Sequence, residues 1–269
     1  MKVSVATISL NQAPFLREAI ESVLAQDHPD VEYIVVDAGS TDGSRNLINE
    51  YRDLIAHLVY EADNGPADGL NKALRLATGE IWACVNADDL LPLHAVSSAV
   101  EMFERDPSLD VVYGDGYVVD AKGRVLRRER SDGFSARRYA YGIGMVVQQS
   151  TFIRRRAAMR VGGYNAANRT CWDGELLLDL GIAGSPMRHV NDVWGMFRVH
   201  PDSITGSGRA AEQYEADRRR LFCRATGRPW RQTDAAIVLA ARGLKALRNA
   251  ARAAQIDAST ASSVLAGRR

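Results

Sequence analysis

The chain has 269 residues, 46% of them hydrophobic and 25% charged, with a formal net charge of +1. That size and composition allow a soluble α/β domain with a sizeable core, with or without an appendage, and the near-neutral balance argues against a nucleic-acid footprint over the whole chain. No apolar run approaches the roughly 20 residues that span a bilayer, and Met1 to Val5 opens straight into a strand pattern rather than the zones of a signal peptide. Cys84, Cys171 and Cys223 are odd in number and lack metal-ligand spacing, so a reducing cytosol is the expected setting.

Val3, Val5 and Ile8 mark a first short strand ending near Ser9. Pro14 then opens a helix carrying Phe15, Ala19, Ile20, Val23 and Leu24 at helical spacing. Val31 to Asp37 is a second, β-branched strand. It ends in Gly39-Ser40-Thr41-Asp42-Gly43, a turn able to cap the helix that carries Leu47, Ile48 and Tyr51. Leu58 to Tyr60 is a third strand, Asp63-Asn64-Gly65-Pro66 a turn, and Leu70, Ala73, Leu74 and Ala77 continue as a helix. Ile81 to Val85 is a fourth strand that runs into the acidic tetrad Asn86-Ala87-Asp88-Asp89.

Strands and helices of about 12 residues in alternation predict a Rossmann-like, mostly parallel sheet with right-handed crossovers. The polar clusters Thr7 to Asn11, Asp37 to Asp42, Glu61 to Asp68 and Asn86 to Asp89 all follow strands, so they converge on one crevice at the carboxyl edge. The tetrad's carboxylates there suit Mg²⁺ or Mn²⁺ serving a phosphate or diphosphate. Beyond it, Val111 to Tyr113, Tyr117 to Val119 and Val125 to Leu126 read as short hairpin or edge strands, a small antiparallel region. Asp173 to Leu180 reads as a helix, and Val193 to Val199 as a strand closing on His200-Pro201.

Four blocks of the chain resemble the family 2 glycosyltransferases, inverting enzymes of the GT-A fold. They are Val31 to Gly43; Asp63 to Ala73 with Ala77-Thr78-Gly79-Glu80; Asn86 to Asp89; and Gly162-Gly163-Tyr164 leading to Trp172-Asp173-Gly174-Glu175-Leu176, with Arg198 to Ser203 downstream. The resemblance runs from about Val3 to Ser207. It implies a catalytic domain over 1–206, divided into a nucleotide-sugar half (1–110) and an acceptor half (111–206), with a basic helical extension over 207–269. It implies Asp37 as acceptor of a nucleobase hydrogen bond, with Thr7, Asn11, Ser40, Asp68, Lys72, Asn86 and Ala87 on the nucleotide. It further implies Asp88 and His200 as metal ligands for Mn²⁺ or Mg²⁺, and Asp173 as the general base. Asp89, Glu175 and Gln149 are secondary candidates. Asn86 departs from the family's pattern, which has Asp there. The implied partners are a nucleotide-diphosphate sugar, a UDP-sugar by the family's habits, and a bacterial-type glycan or glycolipid acceptor.

Each residue also has a plainer role open to it. Asp88 and Asp89 could favour a helix dipole, Asp37 to Gly43 could be only a capped turn, Asp173 an N-terminal helix acid, His200 a surface histidine, and Asp68 and Lys72 an i, i+4 salt bridge. Tyr113 to Tyr141 could be a flap that orders on nucleotide binding or an ordinary solvated hairpin. From Ser207 onward there are thirteen Lys or Arg against five Asp or Glu. Ile237, Ala241, Leu244, Leu247 and Ala251 share one helical face, with Arg242, Lys245, Arg248 and Arg252 opposite. Such a helix could rest on an anionic membrane at the inner face of the cell membrane, or pack on the domain or a second copy. Two other functions stay in view: a sugar nucleotidyltransferase, which would open with a Gly-rich basic loop where Thr7 to Gln12 stands, and a silent nucleotide-sugar-binding module. A dehydrogenase is disfavoured by the missing Gly-x-Gly-x-x-Gly.

Overall fold

The computed structural model describes residues 1–201, 203, 210–241 and 243–244. Its first half alternates as expected: β1 (Val3–Ser9), α1 (Ala13–Leu24), β2 (Val31–Asp37), α2 (Ser44–Glu50), β3 (His57–Tyr60), α3 (Pro66–Leu76) and β4 (Ile81–Cys84). The second half holds α4 (Ala95–Arg105), β5 (Val111–Val119), β6 (Val125–Glu129), α5 (Ala136–Ala140), β7 (Thr151–Arg154), α6 (Arg155–Arg160), α7 (Trp172–Ile182) and β8 (Met187–Arg198). A further helix, α8 (Ala211–Thr226), follows.

One eight-stranded sheet runs in the order β3-β2-β1-β4-β7-β5-β6, with β8 paired to β5. β1, β2, β3 and β4 are mutually parallel; β7 is antiparallel to β4 and β5. The strands alternate faces with period two, and each face has its own core. Val3, Val5, Tyr33, Val35, Ile81 and Ala83 meet α1, α2 and α4 on one side. Ala6, Ile34, Val36, Trp82 and Cys84 meet α3, α6 and α7 on the other. This is a sheet with helices on both faces. α8 packs against α5 and α7, through Phe222 on Ala140 and Tyr141 and through Leu221 on Cys171 and Leu178.

β5 corrects the expectation of separate short strands. It runs unbroken through Gly114-Asp115-Gly116, pairing with β7 over Val111 to Tyr113, with β6 over Gly116 to Val119, and with parallel β8 along its whole length. The two glycines mark close approach rather than a turn. A Cβ at Gly114 would come within 2.6 Å of the Asp192 carbonyl oxygen, and one at Gly116 within 2.7 Å of Val147. Asp115 between them is fully buried and accepts from the Ser131 main chain, Arg128 and His189. That is why polar residues continue the strand. β8 also begins earlier than expected, at Met187.

The helical faces expected beyond Ser207 lie mainly outside the described residues: Arg242, Lys245, Leu247, Arg248, Ala251 and Arg252 are among those not described. Residues 232–241 are helical, with Ile237 and Leu239 exposed. Among the described residues no helix is long and apolar enough to cross a membrane.

The amino ends of β1, β2 and β4 are tied by Glu32. Its buried carboxylate accepts from Ser4 Oγ (2.5 Å), from the Thr78 amide and hydroxyl, and pairs with Lys2 Nζ at 2.9 Å. Burial raises its pKa, but these donors outweigh burial and hold it at about 2. A folded pKa below the ordinary 4.5 means that its stabilisation is present above pH 4.5 and is lost as pH falls toward 2. Glu32→Gln is expected to cost about 2–3 kcal/mol of unfolding free energy at pH 7, and less than about half of that at pH 3. Urea unfolding at the two pH values measures it, and an equal cost at both would mean that packing, not charge, carries the effect.

Candidate active site

The carboxyl ends of β1, β2 and β4 open on a cavity of about 520 Å³, lined among others by Ser9, Asn11, Ala38, Asp63, Asn86, Asp88, Trp172 and Phe197. The loop after β1 is stapled to the turn after β2. The Asn11 amide donates to Ser40 Oγ, the Thr41 amide to Asn11 Oδ1, the Gln12 amide to Ser44 Oγ and the Ala13 amide to Asp42. Asn11 takes a left-handed φ of 54° there, which Asn tolerates better than most residues.

Not every residue expected on the nucleotide faces this cavity. Thr7 is fully buried and its hydroxyl accepts from Tyr33; Ile8 and Ser9, the last residues of β1, reach the cavity instead. Asp37 is also fully buried. Its carboxylate accepts from the Gly39 and Ser40 amides, Ser40 Oγ and Arg45 Nε, and these donors outweigh burial and hold its pKa below the usual carboxylate range. It organises the turn, and Ala38 is the turn residue at the cavity. Asp68 accepts from the Asn64 amide, while Lys72 donates to the Ala62 carbonyl and pairs with Glu61 at 3.4 Å. Both therefore brace the 61–65 loop, and they do not form the i, i+4 pair. The acid that does line the cavity from this loop is Asp63, whose pKa burial raises. Gly69 makes room for it, since a Cβ there would lie 2.8 Å from its carboxylate.

The tetrad turns into the cavity through Asn86, Ala87 and Asp88. Asp88 Oδ2 lies 3.1 Å from His200 Nε2, 112 residues away. His200 is buried and packs on Phe15, ring centroids 4.5 Å apart. Asp89 faces inward. Its Oδ1 accepts from the Arg198 amide (2.9 Å), and its Oδ2 from Asn86 Nδ2 (2.9 Å) and Gln149 Nε2 (2.6 Å). Burial and the neighbouring Asp88 carboxylate push its pKa up, against the pull of those donors. Asn86 also donates to Gln148 Oε1, and Gln148 is itself fixed on the Cys84 carbonyl. Arg198 opens the motif Arg198 to Ser203 but was given no role from the sequence, although a lone arginine in the apolar run Val193 to Val199 is a signal. Its fully buried side chain donates to the Asp88 and Ala121 carbonyls, pairs with Glu18 at 2.5 Å and lies over Phe15.

A second cavity of about 490 Å³ adjoins the first. The two share Asn86, Trp172 and Phe197, and the second adds Gln149, Tyr139, Tyr214 and Asp173. Asp173 sits in the first turn of α7, and burial raises its pKa, only partly offset by main-chain donors. Gly174 beside it leaves room for the Tyr139 hydroxyl, which would overlap any Cβ. Glu175 points elsewhere. It is fully buried among Asn165, Asn168 and Arg220, which outweigh burial and set its pKa at about 2, with Arg220 Nη1 and Nη2 at 2.5 and 2.6 Å. It anchors α8 and is not at either cavity.

Two buried polar atoms on cavity residues lack a hydrogen-bond partner: Ser9 Oγ and Trp172 Nε1. A buried donor left unpaired is costly, and the chain itself leaves these two unsatisfied. Asp88 offers a carboxylate oxygen at the wall; the buried His200 stands behind it, with its Nε2 3.1 Å from Asp88 Oδ2, and is not itself among the lining residues. Mn²⁺ and Mg²⁺ are held by one or two such groups, with phosphate oxygens and water completing the shell. Among the described residues no cluster of three or more His, Cys, Asp or Glu could hold an ion without such help.

The sequence matches the family described as Glycosyl transferase family 2 over residues 4–162, more than half the chain. An uncharacterized glycosyltransferase of Nostoc sp., alr2836, is 35% identical over 129 residues, 45% of this chain and 40% of the relative, so the match spans less than half that protein's length. Staphylococcus aureus TarS 1–349, solved in complex with UDP-GlcNAc, superposes with a TM-score of 0.69 at 19% identity, covering 84% of this chain and 66% of that 1–349 chain. The mannosyltransferase PcManGT of Pyrobaculum calidifontis, solved with GDP-Man and Mn²⁺, gives 0.64 at 22% identity, covering 90% and 68%. The fold is GT-A, and the chain belongs to glycosyl transferase family 2.

Proposed function

We propose that the protein is an inverting, metal-dependent glycosyltransferase. It moves a sugar from a nucleotide-diphosphate sugar, a UDP-sugar by preference, to a hydroxyl of a glycan or glycolipid. The observation that carries this reading is the meeting of the two cavities at Asn86, Trp172 and Phe197, with Asp88, backed by His200, on one side and Asp173 on the other. The nucleotide sugars held by the two structural neighbours support the donor, and Mn²⁺ in one of them supports the ion.

In this mechanism the first cavity holds the nucleoside diphosphate, with Asn11, Ser9 and Asp63 at its wall. Asp88 and His200 hold a divalent ion, which when bound acts as a Lewis acid on the departing diphosphate. The acceptor lies in the second cavity. Asp173 takes the proton of its hydroxyl as that oxygen attacks the anomeric carbon, and the bond from that carbon to the diphosphate oxygen breaks on the opposite face. One base and one leaving group in line invert the anomeric centre. In this reading the transferred sugar sits beside Asn86 and Trp172, at the junction of the two cavities.

Calorimetry with UDP, GDP and dTDP, each with and without Mn²⁺, tests the donor side. One nucleotide should bind in an ion-dependent way, and Asp88→Ala should weaken it by about 10-fold or more. A folded sample that binds no nucleotide would sink the transferase reading. Asp173→Asn should lower kcat by about 10²–10⁴-fold while nucleotide binding persists; a silent binding module would have no turnover to lose. Because burial raises the pKa of Asp173 and the base must be ionised, turnover should rise with pH through an apparent pKa above the ordinary carboxylate value. Glu175→Gln should instead lower thermal stability and leave that pH profile in place, since Glu175 anchors Arg220; a shifted profile would move the base assignment to Glu175.

A further inference from the structure

The acceptor-side cavity holds a cation that the mechanism does not use. Arg218 of α8 lines it together with Asp173 and Tyr139. Its side chain is only 24% exposed. The guanidinium lies against Gly142, where a Cβ would come within 2.4 Å of Nη2, and its Cζ is 5.8 Å from the centre of the Tyr214 ring. Gly142 has a φ of +65° as well, so glycine is favoured there on two counts. Arg218 is thus placed by its surroundings rather than swinging free.

Three other arginines of this segment are paired: Arg220 with Glu175, Arg224 with Asp179 and Arg228 with Asp234, at 2.5 to 2.9 Å. Arg218 has only Glu215, at 4.0 Å and itself 61% exposed, and it makes no hydrogen bond to a described residue. Arg127, also at this cavity, is neutralised by Glu129 at 3.2 Å. A mostly buried guanidinium that, among the described residues, has only the long contact to Glu215 matches a carboxylate or phosphate with its planar fork of donors. The adjoining Tyr139 and Tyr214 rings offer flat walls to a sugar.

Building on the glycosyltransferase reading, we propose that the acceptor carries an anionic group, a carboxylate or a phosphate, near the hydroxyl that is glycosylated, and that Arg218 binds it. Arg218 selects a charged acceptor in a cavity separate from the one that takes the donor diphosphate.

The test is titration of the full chain, followed by ligand-observed NMR, with three probes: methyl β-glucoside, methyl β-glucuronide and glucose 6-phosphate. At low salt at least one charged probe should bind roughly 10-fold tighter than the neutral one. That margin should disappear in Arg218→Gln, persist in part in Arg218→Lys, and shrink in the wild type at about 0.5 M salt. A margin for the glucuronide alone identifies a carboxylate acceptor, for the phosphate alone a phosphate acceptor, and for both a site open to either. Equal binding of all three probes, or a margin that survives in Arg218→Gln, overturns the proposal. UDP binding by the variant, read at the other cavity, reports whether it is folded; if it is not, the wild-type salt titration decides. Failure of the wild type to bind any nucleotide would remove the transferase reading and leave the probe margin as a separate result.

Discussion

One buried carboxylate holds the site together. Asp89 is removed from water, yet its oxygens take N–H groups from β8, from the segment ahead of β7 and from its own turn. A buried carboxyl group is tolerable there only while those partners stay, so the three segments cannot shift independently. Arg198 extends the same tie to Glu18 on α1 and to the Asp88 carbonyl. The consequence lies one residue away: with Asp89 and Arg198 locked, the Asp88 side chain is left to face His200 and the cavity.

The carboxylates of the cleft therefore divide by how many of their acceptor sites are filled. Asp37, Asp89 and Glu175 are engaged by three or more donors of the chain itself and act as internal ties. Asp63, Asp88 and Asp173 keep unfilled acceptor capacity at a cavity wall. Only the second group has lone pairs to offer an ion, a proton or a hydroxyl. Burial raises the pKa of Asp63 and Asp173, a direction that suits proton transfer better than permanent charge. The arginines show the same division, with Arg220 consumed by Glu175 and Arg218 left open.

Much of the fold was legible because its first half obeys simple rules. Strands buried on both faces read as continuous apolar runs, and the polar clusters after them share one edge by topology. The same logic failed at β5, where Asp115 between two glycines imitates a turn; its carboxylate is buried by Ser131, Arg128 and His189. At the site, the tetrad was picked out by residue type and its place after a strand, and Asp173 and His200 by the family resemblance. Ser9, Asp63, Gln148 and Arg198 were not given roles, because each draws its role from a partner or a cavity and not from its own neighbourhood in the chain.

The sequence alone determined the class of architecture, the edge of the sheet that carries the ligand groups and the family whose motifs those groups match. These follow from periodicity and from short motifs, which are local. The tertiary structure alone decided which acids are spent and which are free, that Thr7 and Asp37 turn away from the cavity, and that Glu175 belongs to α8. Each of those outcomes depends on strand facing or on a partner from another element, as in Asp89 with Arg198 and Glu175 with Arg220, 109 and 45 positions apart. No local pattern encodes which donor will fill a given lone pair; packing of the whole chain does.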